Sequence, residues 1–167
     1  MEGILIIRQP ITHEEFEAMY DLRWRILRAP WNQPKGSERD EWETKASHFI
    51  ALLNDKIIGT ARLQLINQDA KIGQVRYLAI ETIFQRKGIG GKLIEAIHLT
   101  ATNRFLNHLV LNAREHAVKF FEKHGYKVVG EGPLLFGSIK HKKMLIKFAR
   151  GDLRMQEIIH NLKQSLT

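Results

Sequence analysis

Apolar residues recur along the chain with two periods, and the changes of period mark the elements. Ile4 to Arg8 reads as a short opening strand stopped at Pro10, and Thr12 with Glu15 gives the capping-box signature of a helix start. Phe16, Met19, Tyr20, Trp24 and Leu27 then fall at helical spacing, so the first helix is amphipathic and covers a sheet, with Pro30 marking its end. From Ala29 to Ser47 periodicity is lost, and prolines, a glycine and the acidic cluster Glu38, Asp40, Glu41 and Glu43 predict a loop or a short second helix. His48 to Leu53 and Ile57 to Ile66 are strand-like runs joined through Leu53-Asn54-Asp55-Lys56, the pattern of a hairpin with a tight turn. A further turn at Asn67 to Ala70 leads into a strand over Val75 to Ile80.

The second half begins with a helix carrying Leu93, Ile94, Ile97, Ala101 and Phe105. Leu109 to Ala113 is a short buried strand, and Arg114 to His124 a helix with Ala117, Val118, Phe120 and Phe121 inward and Gly125 as its stop. Tyr126 to Val129 and Ile139 to Phe148 are two closing strands. Met155, Ile158, Ile159, Leu162 and Leu166 predict a tail helix with Asp152 at its N-cap, able to pack on its own domain, against a second copy in a homodimer, or on a partner. Strands in succession followed by a helix argue for an α+β fold, a mixed and mostly antiparallel sheet flanked by helices, and against a doubly wound parallel one. The expected organisation is one domain over residues 1–149 and a helical extension over 150–167.

Composition narrows the function. With 44% hydrophobic and 26% charged residues the chain is that of a globular protein, and the absence of cysteine excludes disulfides, a thiol nucleophile and thiolate zinc sites. No metal is expected. Neither a leader nor a long apolar run is visible, which predicts a cytoplasmic protein with no membrane partner. The net charge of +8 calls for an anionic partner. Nucleic acid is not the expected one, because the densest basic run, Lys140 to Lys143, alternates with Met144, Ile146 and Phe148 as a half-exposed strand does and is not interleaved with exposed aromatics.

The anion site itself is legible. Gln85-Arg86-Lys87-Gly88-Ile89-Gly90-Gly91-Lys92 places two cations and three glycines just before a helix, where backbone N–H groups lack intrahelical partners and glycines admit a phosphate. It is not a P-loop, since Leu93 follows Lys92 where a hydroxyl would hold magnesium, and it is not a dinucleotide fingerprint, since position 93 lacks the third glycine.

This loop, after a strand ending Tyr77-Leu78-Ala79-Ile80, resembles motif A of the GNAT N-acetyltransferase superfamily, whose Gln/Arg-x-x-Gly-x-Gly/Ala turn binds the pyrophosphate of acetyl-CoA. Leu111-Asn-Ala-Arg-Glu-His-Ala-Val-Lys-Phe-Phe-Glu-Lys-His-Gly-Tyr is similar to the family's motif B, which flanks the pantetheine arm. Leu22 to Trp31, together with Ile139 to Met144, is similar to the branch containing the ElaA-like proteins. The resemblance implies the GNAT acyl-CoA N-acyltransferase fold, acetyl-CoA as co-substrate and an amine as acceptor. It implies backbone contacts to pantetheine from Tyr77, Leu78, Ala79 and Ile80 at a break in strand pairing, with the N–H of Leu78 as an oxyanion donor. It further implies phosphate contacts from Gln85 to Lys92, and pantetheine neighbours at Asn112 and Phe121.

The base and the acid do not carry over from the family. The family's frequent carboxylate on the central strand falls near Gln74, and its frequent tyrosine falls at Phe121, so neither position supplies a proton carrier. A lysine-like amine of pKa ~10.4 needs a base or a water relay. The candidates are His141, His48 and Glu43, with Glu41 and Glu81 beside them, and histidine is the residue type best matched to neutral pH. The departing thiolate is protonated by Tyr126, Tyr77 or water, or leaves without a general acid. An N-acetyltransferase acting by direct attack in a ternary complex is the leading reading, and a non-catalytic CoA-binding module of the same fold is the alternative.

Overall fold

The computed structural model describes residues 2–149. The helix expected over Asp152 to Thr167 lies outside the described residues. In chain order the elements are β1 (Leu5–Arg8), α1 (His13–Leu27), β2 (Ser47–Leu53), β3 (Lys56–Asn67), β4 (Ile72–Ile80), α2 (Ile89–Asn103), β5 (His108–Arg114), α3 (Val118–Lys123), β6 (Lys127–Glu131) and β7 (His141–Lys147), with 3-10 turns at Ala29–Trp31, Thr82–Phe84 and Glu115–Ala117. The sheet order is β1-β2-β3-β4-β5-β7-β6. β1/β2, β2/β3, β5/β7 and β6/β7 pair antiparallel while β4/β5 pair parallel, which makes the seven-stranded sheet mixed. No helix among the described residues is long and apolar enough to cross a membrane.

Local chemistry explains the boundaries. Thr12 Oγ1 accepts the Glu15 N–H at 3.1 Å and caps α1, and the Glu15 carboxylate reaches back to the Ile11 N–H at 2.6 Å and to Arg8 on β1. Asn54 and Asp55, at φ 48° and 65°, form the two-residue type I′ turn that matches the twist of the β2/β3 hairpin. α2 starts at Ile89, four residues before the expected Leu93, because Ile89 is the first member of a stripe at four-residue spacing with Leu93 and Ile97, all buried. The helix expected over Arg114 to His124 is α-helical only from Val118 to Lys123, since Arg114 still belongs to β5 and a 3-10 turn follows it. Its end is a Schellman motif. Gly125 sits at φ +94°, its N–H bonds to Glu122 O at 3.0 Å, the Tyr126 N–H bonds to Phe121 O at 3.1 Å, and the Phe121 and Tyr126 rings pack 5.7 Å apart.

The described chain forms two compact units. The first comprises the chain up to Gln64 together with Val75–Ile97, and the second Leu65–Gln74 together with the chain from His98 on. In the first, the inner side of α1 (Met19, Tyr20) packs on Ile50 and Leu52 of β2, with Phe16 and Ile57 beside them. Every residue of β2 is buried. In the second, Leu109, Leu111 and Ala113 of β5 are buried, as are Phe121, Tyr126 and Met144.

Gly59 of β3 sets how closely β4 and α2 approach in the first unit. A Cβ there would lie 2.8 Å from Ile80 Cδ1, 3.2 Å from Leu93 Cδ1 and 3.3 Å from Ala51 Cβ. Gly59→Val overfills this junction and is expected to cost about 1–3 kcal/mol. A lowered urea midpoint at unchanged slope is the outcome that checks it.

Candidate active site

β4 carries a backbone anomaly where the chemistry is expected. Its parallel pairing with β5 spans Ile72↔His108, Gly73↔Leu109 and Gln74↔Val110. Three residues further on, Tyr77 takes φ +54°, left-handed backbone inside a strand. For an L-residue with a Cβ this conformation costs roughly 1–2 kcal/mol, so something must hold it. The turned residue re-aims the N–H and C=O groups that follow it, as a bulge does.

The end of β4 runs straight into the glycine loop. The Glu81 N–H bonds to Ile58 O at 2.8 Å and keeps the strand end on β3, while Gln85 Nε2 donates to Ile80 O at 3.0 Å. Arg86 and Gly88 take φ +59° and +83°, which turns successive N–H groups toward one side, the geometry of an anion-binding nest. The first helical hydrogen bond of α2 runs from Lys92 N to Gly88 O at 3.2 Å, so the N–H groups of Gly88, Ile89, Gly90 and Gly91 have no partner within the helix. Gln85, Arg86, Lys87 and Gly88 are exposed, and a Cβ built on Gly88 would meet nothing within 4 Å. Open space, unpaired donors and the flanking Arg86, Lys87 and Lys92 make a cradle fitted to a polyphosphate.

Alongside β4 in the same unit lies a charge network. Arg23 of α1 and Arg62 of β3 are both fully buried. Arg62 grips Asp40 with two bonds, at 2.7 and 2.8 Å, and also donates to Glu43 at 2.5 Å and to Gln64. Arg23 donates from Nη1 to both Glu43 oxygens at 3.0 Å. Burial would raise the Asp40 carboxyl, but the Arg62 hydrogen bonds and the Trp42 N–H outweigh it and hold the group at about 2. The Tyr77 ring lies amid this network, with the guanidinium carbons of Arg23, Arg62, Arg76 and Arg28 at 4.6, 4.7, 5.0 and 5.3 Å from its centroid. Its hydroxyl donates to Asp40 at 3.4 Å.

Of the candidate bases, Glu43 and His48 fall in this network. His48 Nε2 lies 2.7 Å from the Glu43 carbonyl, which can only accept, so Nε2 carries the proton and Nδ1 accepts from Arg23 at 3.0 Å. As placed, neither ring nitrogen has a free lone pair, and burial lowers the imidazole's affinity for a second proton. Glu81 is held by Arg25 at 2.6 and 3.0 Å, and Glu41 is exposed.

His141 belongs to the second unit. Its Nδ1 faces the Pro133 and Ile139 carbonyls at 3.0 Å each, so Nδ1 donates and Nε2 carries the lone pair of the neutral ring. Asn112 is exposed on β5 and lines a cavity of about 350 Å³ with Gln74, Glu131 and Lys143. Phe121 is buried between Phe120 and Tyr126. The Tyr126 hydroxyl, also buried, bonds to His98 Nε2 at 2.9 Å, and burial raises its pKa, which makes it a weaker acid.

The model of the acetyltransferase (GNAT) family matches residues 16–126. The chain belongs to the GNAT acetyltransferase family. A Bacillus subtilis relative, the uncharacterized N-acetyltransferase YjcF, is 26% identical over 134 residues, covering 80% of this chain and 94% of its own length. Escherichia coli ElaA superposes with a TM-score of 0.74 at 17% identity, over 86% of this chain and 99% of that one. An aminoglycoside 6′-N-acetyltransferase solved with coenzyme A gives a TM-score of 0.74 at 17% identity, over 87% and 98% of the two chains. The mixed seven-stranded sheet flanked by helices is thus the GNAT fold.

Within this GNAT chain the residues that sequence reasoning passed over are Arg23, Arg62 and Asp40. The first two left a signal. Arg23 interrupts the apolar stripe of α1, four residues from both Met19 and Leu27, and Thr60, Arg62 and Gln64 alternate as polar residues through the buried run of β3 from Ile58 to Gln64. Removing a carboxylate from two buried guanidinium groups leaves charge uncompensated at a typical cost of about 3–5 kcal/mol. Glu43→Ala is expected to lose that much in urea unfolding, whereas Glu41→Ala, on the exposed side of the same segment, is expected to stay within about 0.5 kcal/mol.

Proposed function

We propose that this GNAT chain transfers the acetyl group of acetyl-CoA to a primary amine by direct attack in a ternary complex. The observation that carries the reading is the pairing, in one stretch, of a left-handed Tyr77 in β4 with an open, donor-rich loop at Gly88 to Gly91. The loop is suited to the pyrophosphate, and the strand to the amides of the pantetheine arm. A donor molecule lying along both would bring its thioester to the re-aimed backbone after Tyr77, with the Leu78 N–H as the hydrogen bond to the developing oxyanion.

The amine nitrogen attacks the thioester carbonyl carbon, the C–S bond breaks, and CoA leaves as the thiolate. The nitrogen gives up a proton in the same sequence. An amine of pKa ~10.4 passes that proton to a base or a water relay. His48 and Glu43 are read as part of the network beside β4, since their acceptor atoms are already engaged by Arg23 and Arg62. The thiolate is a good enough leaving group to depart without a general acid.

Thiol release from acetyl-CoA, followed across a panel of primary amines, tests the reading. Amine-dependent release is expected. Gly88→Val forces a branched residue to φ +83° and fills the cradle, and is expected to weaken CoA binding by about tenfold or more. CoA binding with no amine-dependent release would replace the enzyme by a CoA-binding module of the same fold.

A further inference from the structure

The segment between α1 and β2 lends two of its four carboxylates, Asp40 and Glu43, to the charge network beside β4, and no role is assigned to this arrangement by membership of the GNAT family. Four guanidinium groups within 5.3 Å of one ring centroid repel each other. They are tolerated because Asp40 and Glu43 stand among them, at 2.5 to 3.0 Å from Arg23 and Arg62. Both carboxylates are fixed by local structure. Asp40 accepts the Trp42 N–H at 2.9 Å, the Lys45 and Ala46 N–H groups close on Trp42 O at 3.0 and 2.9 Å, and the Glu43 carbonyl accepts from His48 at the start of β2. The ring these cations surround belongs to the one residue of β4 with left-handed backbone.

We propose that Asp40, Arg62 and Arg23 are positioning residues that clamp the Tyr77 ring and so hold the β4 backbone in its donor-binding conformation. The clamp accounts for three observations together: the unfavourable φ of an aromatic residue mid-strand, two fully buried arginines, and carboxylates recruited from a segment that is otherwise turns. It also makes a functional statement about the segment around Asp40. When that segment is docked, the pantetheine-binding stretch Tyr77 to Ile80 is formed. When it is not, the four cations lose their counter-charge and the left-handed residue loses its support. The glycine loop lies outside this dependence, because its own geometry rests on Arg86, Gly88 and the start of α2.

The inference rests on reading β4 as the pantetheine strand, and a pair of ligands separates the two ideas. Calorimetry on the full chain would compare CoA with adenosine 3′-phosphate 5′-diphosphate, which keeps the pyrophosphate and lacks pantetheine. The wild type is expected to bind CoA more tightly than the nucleotide. Asp40→Asn, which keeps shape and removes charge, and Tyr77→Leu, which removes the ring, are each expected to weaken CoA by roughly tenfold and leave the nucleotide affinity unchanged. Equal weakening of both ligands, or unchanged CoA affinity in two folded variants, would overturn the clamp. Wild-type affinity no higher for CoA than for the nucleotide would instead overturn the reading of β4 and the clamp with it.

Discussion

The structure of the first unit depends on compensating two arginines that never see water. Taking a guanidinium out of water costs several kcal/mol even after relaxation, and Arg23 and Arg62 are both fully buried, on different elements. Glu43 serves both, and Asp40 closes the second with a two-bond grip. Helix α1, strand β3 and the segment before β2 are thereby tied to one another by charge as well as by apolar contact. This is a costly way to build a core, and burying hydrophobic residues of the same volume would often be as stable. What the ionic solution adds is direction: guanidinium groups and carboxylates fix angles that aliphatic side chains leave loose.

That direction converges on β4. The strand enters as an ordinary sheet member paired with β5 at Ile72 to Gln74, then turns through left-handed backbone at Tyr77 and ends on β3 through Glu81. Next come the nest at Arg86 to Gly88 and the unpaired N–H groups of α2. The proposed donor site is therefore made almost wholly of backbone, and backbone can be aimed only by what packs behind it. The network supports the strand, Gln85 ties the loop to Ile80, and Gly59 lets α2 and β4 close on each other. The side chains of β4 and the loop matter chiefly through the conformations they permit.

Much of this was legible in the sequence, and the rest was hidden for physical reasons. The glycine spacing at 88, 90 and 91 announces an anion cradle because glycine's permissiveness is a local property. The Asn54-Asp55 turn, the Thr12 cap and the Gly125 stop are local as well, and each is realised. α2 starts earlier than its sequence predicts because glycines in a first turn look like loop when read by propensity, although Ile89 already belongs to the apolar stripe. The buried network was not legible. Asp40 and Glu43 read as part of an acidic loop, and only the sheet brings Arg62 to them across about twenty positions of chain. His48 reads as a free base in the sequence for the same reason, since Arg23, which occupies its Nδ1, lies 25 residues away.

The central claim is that one continuous stretch, from Tyr77 to Gly91, holds an acyl-CoA by its backbone. Backbone amide shifts followed during a CoA titration test it most directly. The predicted result is saturable movement of two groups of amides, Leu78 to Ile80 and Gly88 to Gly91, with one shared dissociation constant. Movement confined to the basic run Lys140 to Lys143, or none that saturates, would contradict it.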